Sequence, residues 1–206
     1  MKSKVFGIGF HKTGSTTLET ALIELGFDAV GKRDHLFAAI DNDEWEIIDQ
    51  EVNSHDAFRD MPWPLFYQAL DQRYPDSKFI LTVRDSRTWL NSCLNHYKKA
   101  GDPVFSNIYG EGNHFPVGNE DVWLEKYILH NKAVRNYFLG RSKDFLEVDW
   151  EKGSGWKELC NFLHQPVPNR AFPHANQGKY TILEKVKRRI HYIVDKDGFI
   201  QKNRDL

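Results

Sequence analysis

Two stretches of this chain hold residue types that can grip phosphate, and a third holds one that can take a proton. The first is Gly7-Ile8-Gly9-Phe10-His11-Lys12-Thr13-Gly14-Ser15-Thr16-Thr17. An apolar, β-prone run from Val5 to Phe10 enters a glycine-containing turn, and a helical pattern opens at once behind it. Strand, tight loop and helix N-terminus in that order build an anion site from backbone N–H groups and the helix dipole. A nucleoside-triphosphate loop reads G-x-x-x-x-G-K-[ST], with lysine directly after the second glycine. Gly9 and Gly14 keep that spacing, but Ser15 holds the lysine's place and Lys12 precedes Gly14 by two residues. The loop is expected to bind phosphate while its cation reaches a different part of the ligand.

The second stretch is Arg84-Asp85-Ser86-Arg87-Thr88-Trp89-Leu90-Asn91-Ser92. Arg84 leaves a buried strand, and Ser92 lies eight residues on, about two helical turns along. A planar guanidinium can pair two phosphate oxygens at once, so Arg84 with Ser92 can hold a second phosphate. The alternative is an arginine capping carbonyls and a serine on a polar helix face. The third is Phe58-Arg59-Asp60-Met61-Pro62-Trp63, where Asp60 is either a general base or an N-cap and partner for Arg59.

These groups need elements to position them. Apolar spacing predicts strands at 5–10, 27–30, 57–61, 78–83 and 144–149. Helices are expected at 15–25 with Gly26 as C-cap, within 34–52, at 64–74 from Pro64, at 87–99 capped by Ser86, and at 119–139, 156–164 and 182–194. Residues 100–118, rich in Gly, Pro and Asn, read as a long loop. Alternating strands and helices predict an α/β fold with a central parallel sheet covered on both faces. Ligands bind at the carboxyl ends of such strands, the edge shared by the opening loop, Arg84 and Asp149.

At 206 residues the chain fits one domain over 1–206, with 180–206 as a C-terminal helix and tail packed on it. Hydrophobic content of 40%, charged content of 28% and a net charge of −1 predict neither nucleic-acid nor membrane binding, so an anionic ligand must meet a local cluster. Cys93 and Cys160 read as reduced, half-buried thiols. No signal peptide or long apolar segment is present, which points to the cytoplasm. The nine histidines show no metal-ligand spacing, so no zinc is expected.

Together the two phosphate motifs resemble the sulfotransferase family that uses 3′-phosphoadenylyl sulfate (PAPS). Its K-[ST]-G-[ST]-[ST] loop binds the 5′-phosphosulfate, and here it is Lys12-Thr13-Gly14-Ser15-Thr16 followed by Thr17. Its second motif sets an arginine at a strand end and a serine eight residues later on the 3′-phosphate, matched by Arg84 and Ser92. YPDSKFILTVRDSRTWLNS (Tyr74 to Ser92) is similar to the compact branch of the family. The resemblance implies a P-loop-like three-layer fold, Lys12 as stabiliser of the leaving 5′-phosphate, PAP as product and no required metal. Compact relatives carry an aspartate at the position of Asp60, which makes it the candidate general base; Asp56 and His55 are the substitutes if the strand before it ends earlier. His11 either touches donor or acceptor or packs on the sheet edge. Leu18 stands where the family often has a tryptophan for adenine, and the family's C-terminal R-K-G-x-x-G is missing. Lys179, in the stretch 172–179, either replaces that motif near the 3′-phosphate or lies in a plain connector. The acceptor is expected to be a small molecule or glycan, its pocket shaped by 34–63 and by Phe105, Tyr109, His114 and Phe115; the oligomeric state is not legible.

Two other readings compete. A P-loop kinase or nucleoside-triphosphatase could use Asp85 or Asp149 as its acidic residue, but it requires the lysine absent after Gly14, which bridges β- and γ-phosphates. A non-catalytic nucleotide-binding module would keep the loop without turnover.

Overall fold

A strand covered on both faces has to be apolar at successive positions, and Phe79-Ile80-Leu81 meets that condition. In the computed structural model, which describes residues 3–98 and 103–173, this run lies inside a five-stranded sheet. Its strands are β1 (Val5–Gly7), β2 (Ala29–Val30), β3 (Ala57–Arg59), β4 (Lys78–Thr82) and β5 (Phe145–Val148). The order is β2-β3-β1-β4-β5, and every pairing is parallel. Phe6 lies in register with Phe58 on one side and Phe79 on the other. The described helices are α1 (Ser15–Glu24), α2 (Leu36–Asp41), α3 (Trp45–Ser54), α4 (Tyr67–Arg73), α5 (Ser86–Tyr97), α6 (Ser106–Tyr109), α7 (Glu120–Tyr137) and α8 (Trp156–Leu163).

Strand alternation sorts the side chains into two cores. Val5, Ala57 and Ile80 pack with Leu18, Ala21 and Leu22 of α1 and Leu159 and Cys160 of α8. Phe6, Phe58, Phe79 and Leu81 face the other way, onto Trp63, Leu70, Val134 and Phe138. Fully burying a side chain such as Phe6 or Leu22 contributes roughly 1.5–3 kcal/mol, so both faces of the sheet hold its carboxyl edge in place. A third cluster closes over that edge, with Phe10, Trp89, Phe105, Tyr109, Trp123 and Tyr127. The winding switches sides at β1: β2 and β3 are laid down on one side of it, β4 and β5 on the other. The carboxyl ends of β1 and β4 are therefore the switch point at which open parallel sheets take ligands.

The expected elements are present within the described residues, with four corrections. The helix predicted from Pro64 is split into a 3-10 turn (Trp63–Leu65) and α4, because Phe66 between them, at φ −129° and ψ 26°, leaves the helical conformation. The cap of α5 is Asp85, not Ser86: its carboxylate accepts from the Thr88 N–H at 2.9 Å, where a full negative charge also meets the helix dipole. Within the expected loop 100–118, a 3-10 turn (Pro103–Phe105) and α6 form. Their aromatic residues supply the burial that fixes a short helix: Phe105 and Tyr109 are core residues, and Tyr109 stacks on Trp123 with centroids 3.8 Å apart, so neither shapes an open pocket. Cys93 and Cys160 are fully buried rather than half-buried. The helix expected at 182–194, the stretch 174–179 with Lys179, and residues 99–102 lie outside the described residues.

Candidate active site

The chain leaves β1 through a turn in which position 9 has no room for a side chain. A Cβ on Gly9 would lie 2.1 Å from Thr82 Oγ1 and 2.3 Å from the Thr82 carbonyl oxygen, so the turn is pressed onto β4. Thr13 closes it: its hydroxyl donates to the Phe10 carbonyl at 2.5 Å and accepts from the Thr82 hydroxyl at 2.6 Å. Lys12 and Gly14 both have left-handed backbones, with φ of 62° and 93°. Gly14 is the N-cap of α1, and a glycine offers no side-chain oxygen to the first-turn N–H groups. No N-cap side chain covers them, and the helix dipole lies behind them. Trp150, just past β5, backs the turn: its indole N–H donates to the Gly14 carbonyl at 3.3 Å. A Cβ at position 14 would meet Trp150 Cδ1 at 2.4 Å.

Beside this turn lies a cleft of about 450 Å³ lined by Lys12, Arg84, Thr88, Asn91, Ser92, Asn95 and His96. The tertiary structure thus brings Lys12 of the first stretch together with Arg84 and Ser92 of the second. The α5 residues form one stripe, since positions three or four apart share a helix face. The backbone of Arg84 is clamped by one hydroxyl: Tyr127 Oη accepts from its N–H at 2.9 Å and donates to its carbonyl at 2.8 Å. The Arg84 guanidinium forms an ion pair with Glu151, while its buried Nε has no hydrogen-bond partner among the described residues. Burial lowers the Lys12 ammonium from its ordinary pKa; Cys93 opposes this, the Arg84 charge adds to it, and Asp60 opposes it again.

Asp60 lies one residue beyond β3, at the same edge, with a left-handed φ of 69°. Its Oδ2 accepts from Arg59 Nη1 at 2.9 Å and its Oδ1 from the Met61 N–H at 3.0 Å. The second arm of Arg59 reaches Glu19 on α1 at 2.8 Å. Burial works against the charged Arg59 guanidinium, but Glu19 and Asp60 outweigh it and hold its pKa above the ordinary value. Asp60 does not line the α5 cleft, yet its charge acts on both Lys12 and His11. The substitutes fail on position. His55 and Asp56 precede β3, so they stand at the amino edge of the sheet, where both make contacts to Asp28. A parallel strand separates them from the loop that carries Lys12.

His11 packs on the sheet edge. It is buried, its Nε2 is 2.9 Å from the Tyr109 hydroxyl, and Phe105 and Trp123 surround it. Burial lowers its pKa to about 4, so the ring is neutral near pH 7. Thr13, Ser15 and Thr17 are buried, and Thr16 is half-buried. The Thr13 hydroxyl is used within the turn, which leaves its N–H as the group to offer an anion.

Thr88, Asn91, Asn95 and His96 were not singled out from sequence. Their signal was polar residues three and four apart on the face that carries Ser92. Trp150 and Glu151 were missed as well; they follow a strand end, the position that drew attention to Arg84.

A family profile described as sulfotransferase domain matches residues 4–115 and 98–181. The chain is also similar to "Ava biosynthesis cluster protein M" of Aspergillus versicolor, at 27% identity over 211 residues, covering 83% of this chain and 80% of that protein. The profile spans both phosphate motifs and the sheet edge that unites them: the chain belongs to the sulfotransferase-domain family.

Proposed function

We propose that the protein is a PAPS-dependent sulfotransferase that moves a sulfuryl group to a hydroxyl or amine of a small molecule or glycan. The reading rests on one observation above the others. Lys12, Arg84 and Ser92 share a cleft beside the open N-terminus of α1, although 72 residues separate the first two in sequence. The residues present fit such a donor. Two cations and a serine match a ligand with phosphates at both ends, and the buried Arg84 Nε has a donor to spare.

In this reading the turn N–H groups and the hydroxyls of Ser15, Thr16 and Thr17 hold the 5′-phosphate, and Arg84 with Ser92 holds the 3′-phosphate. Bound PAPS supplies an activated sulfuryl group. Lys12 neutralises the charge that grows on the oxygen leaving sulfur, a stabilisation strongest in the transition state. Asp60 takes the acceptor's proton as the new S–O or S–N bond forms. Its carboxylate is held by Arg59 and the Met61 N–H, and each oxygen keeps a further lone pair for that proton. The Aspergillus versicolor relative is named for a biosynthesis cluster, which agrees with a small-molecule acceptor. Asp85 and Asp149, which a triphosphatase would need, serve as caps of α5 and of the 3-10 turn after β5.

Asp60→Asn is expected to lower turnover by about 10²–10⁴-fold, the usual contribution of a general base, while PAP affinity stays unchanged. Unchanged PAP release from PAPS in that variant would remove Asp60 from the mechanism. The donor class is tested by thermal shift without metal. PAP at a hundred times its Kd should stabilise the protein by about 2.7 kcal/mol, which raises Tm by about 5–10 °C at this size. ATP with Mg²⁺ should give no comparable shift. The reverse pattern would establish a triphosphate site instead.

A further inference from the structure

The turn after β5 reaches both halves of the cleft. Trp150 seats on Gly14 in the phosphate loop, and the next residue, Glu151, forms its ion pair with Arg84. Glu151 is held there from behind: its N–H donates to Asp149 Oδ1 at 3.1 Å, in the first turn of the 3-10 segment Trp150–Lys152. The Glu151 side chain is half exposed, whereas that of Arg84 is one-quarter exposed. The carboxylate therefore meets the guanidinium at Nη2 from the more exposed side, while Nε stays buried and without a hydrogen-bond partner among the described residues. A phosphate oxygen and a carboxylate oxygen seek the same fork of donors. Any anion that takes this guanidinium must displace Glu151 or stand beside its negative charge.

We propose that Glu151 is an intramolecular competitor for the 3′-phosphate, which limits how tightly PAP is retained and speeds its release after transfer. The inference rests on Arg84 being the 3′-phosphate ligand, as proposed above. The donor and the spent product carry the same 3′-phosphate, so an unopposed Arg84 would hold both with equal strength. A carboxylate already in place takes over the guanidinium as the nucleotide leaves and spares Arg84 a partly buried, unpaired charge. Glu151 touches neither the sulfuryl group nor the acceptor in this scheme; it acts through Arg84.

The test is PAP binding and dissociation, measured by titration calorimetry and stopped-flow displacement, in the wild-type protein and in Glu151→Gln. Glutamine keeps the size and removes the charge. Loss of one exposed ion pair predicts PAP binding tighter by about two- to fivefold, with the change carried by slower dissociation. Adenosine 5′-phosphate, which lacks the 3′-phosphate, should bind both proteins alike. Weaker PAP binding by Glu151→Gln would overturn the proposal and make Glu151 a support for Arg84. An equal gain for both nucleotides would overturn it too, because the effect would not pass through the 3′-phosphate. If neither protein bound PAP, the donor assignment itself would fall. PAP binding that Glu151→Gln left unchanged would remove only the competitor role.

Discussion

Lys12→Ala is expected to reduce the release of PAP from PAPS by about 10²–10³-fold, the effect of deleting one donor aimed at developing charge. PAP affinity should fall less than tenfold, because the turn N–H groups remain to bind the ground-state phosphate. The structure makes this a clean substitution. Lys12 sits at φ 62°, and alanine at that position bears the same Cβ strain that lysine already bears. The turn is held by Gly9 on Thr82, by the Thr13 hydroxyl and by Trp150, none of which uses the lysine side chain. Thermal stability should therefore stay close to wild type while turnover collapses. Near-normal turnover would refute Lys12 as the group that stabilises the leaving phosphate.

Arg84→Ala should act on the other half of the donor. Hydrogen bonds to charged groups contribute about 1.5–3 kcal/mol each, which predicts PAP and PAPS binding weaker by about 10–100-fold. The effect should appear mainly in KM for PAPS, since the 3′-phosphate is remote from sulfur and is gripped in ground and transition states alike. Tyr127 fixes the Arg84 backbone from both its N–H and its carbonyl, so truncating the side chain leaves the strand end in place. Binding measured by calorimetry and steady-state KM should move together. Unaltered PAP binding would mean that Arg84 serves Glu151 and the strand end alone.

Much of this molecule is legible in its residues because the relevant signals are local. The apolar run Phe79-Ile80-Leu81, the glycine-containing turn after Val5 and the serine eight residues after Arg84 each depend on neighbours within a few positions. Hence the strands, the flanking helices and the turn between β1 and α1 follow from periodicity and turn chemistry. The misreadings fall where one local signal competes with another. Asp85 outcompetes Ser86 as a cap because it adds a charge at the helix dipole. Gly, Pro and Asn around residues 100–118 signal a loop, but the burial of Phe105, Ile108 and Tyr109 against Trp123 folds part of it into helix.

What the sequence by itself determined is the turn: two glycines five residues apart, with lysine before the second one rather than after it. What only the tertiary structure decided is which distant residues share its space. Parallel pairing of β1 with β4 sets Lys12 beside Arg84, and the end of β3 brings Asp60 to the same edge while leaving His55 and Asp56 at the opposite one. The pairing of Arg84 with Glu151 spans 67 residues and carries no local pattern. The physical reason is the same in each case. Backbone conformation is fixed by near neighbours, whereas contacts across a sheet edge are fixed by strand order and register, which depend on packing of the whole chain.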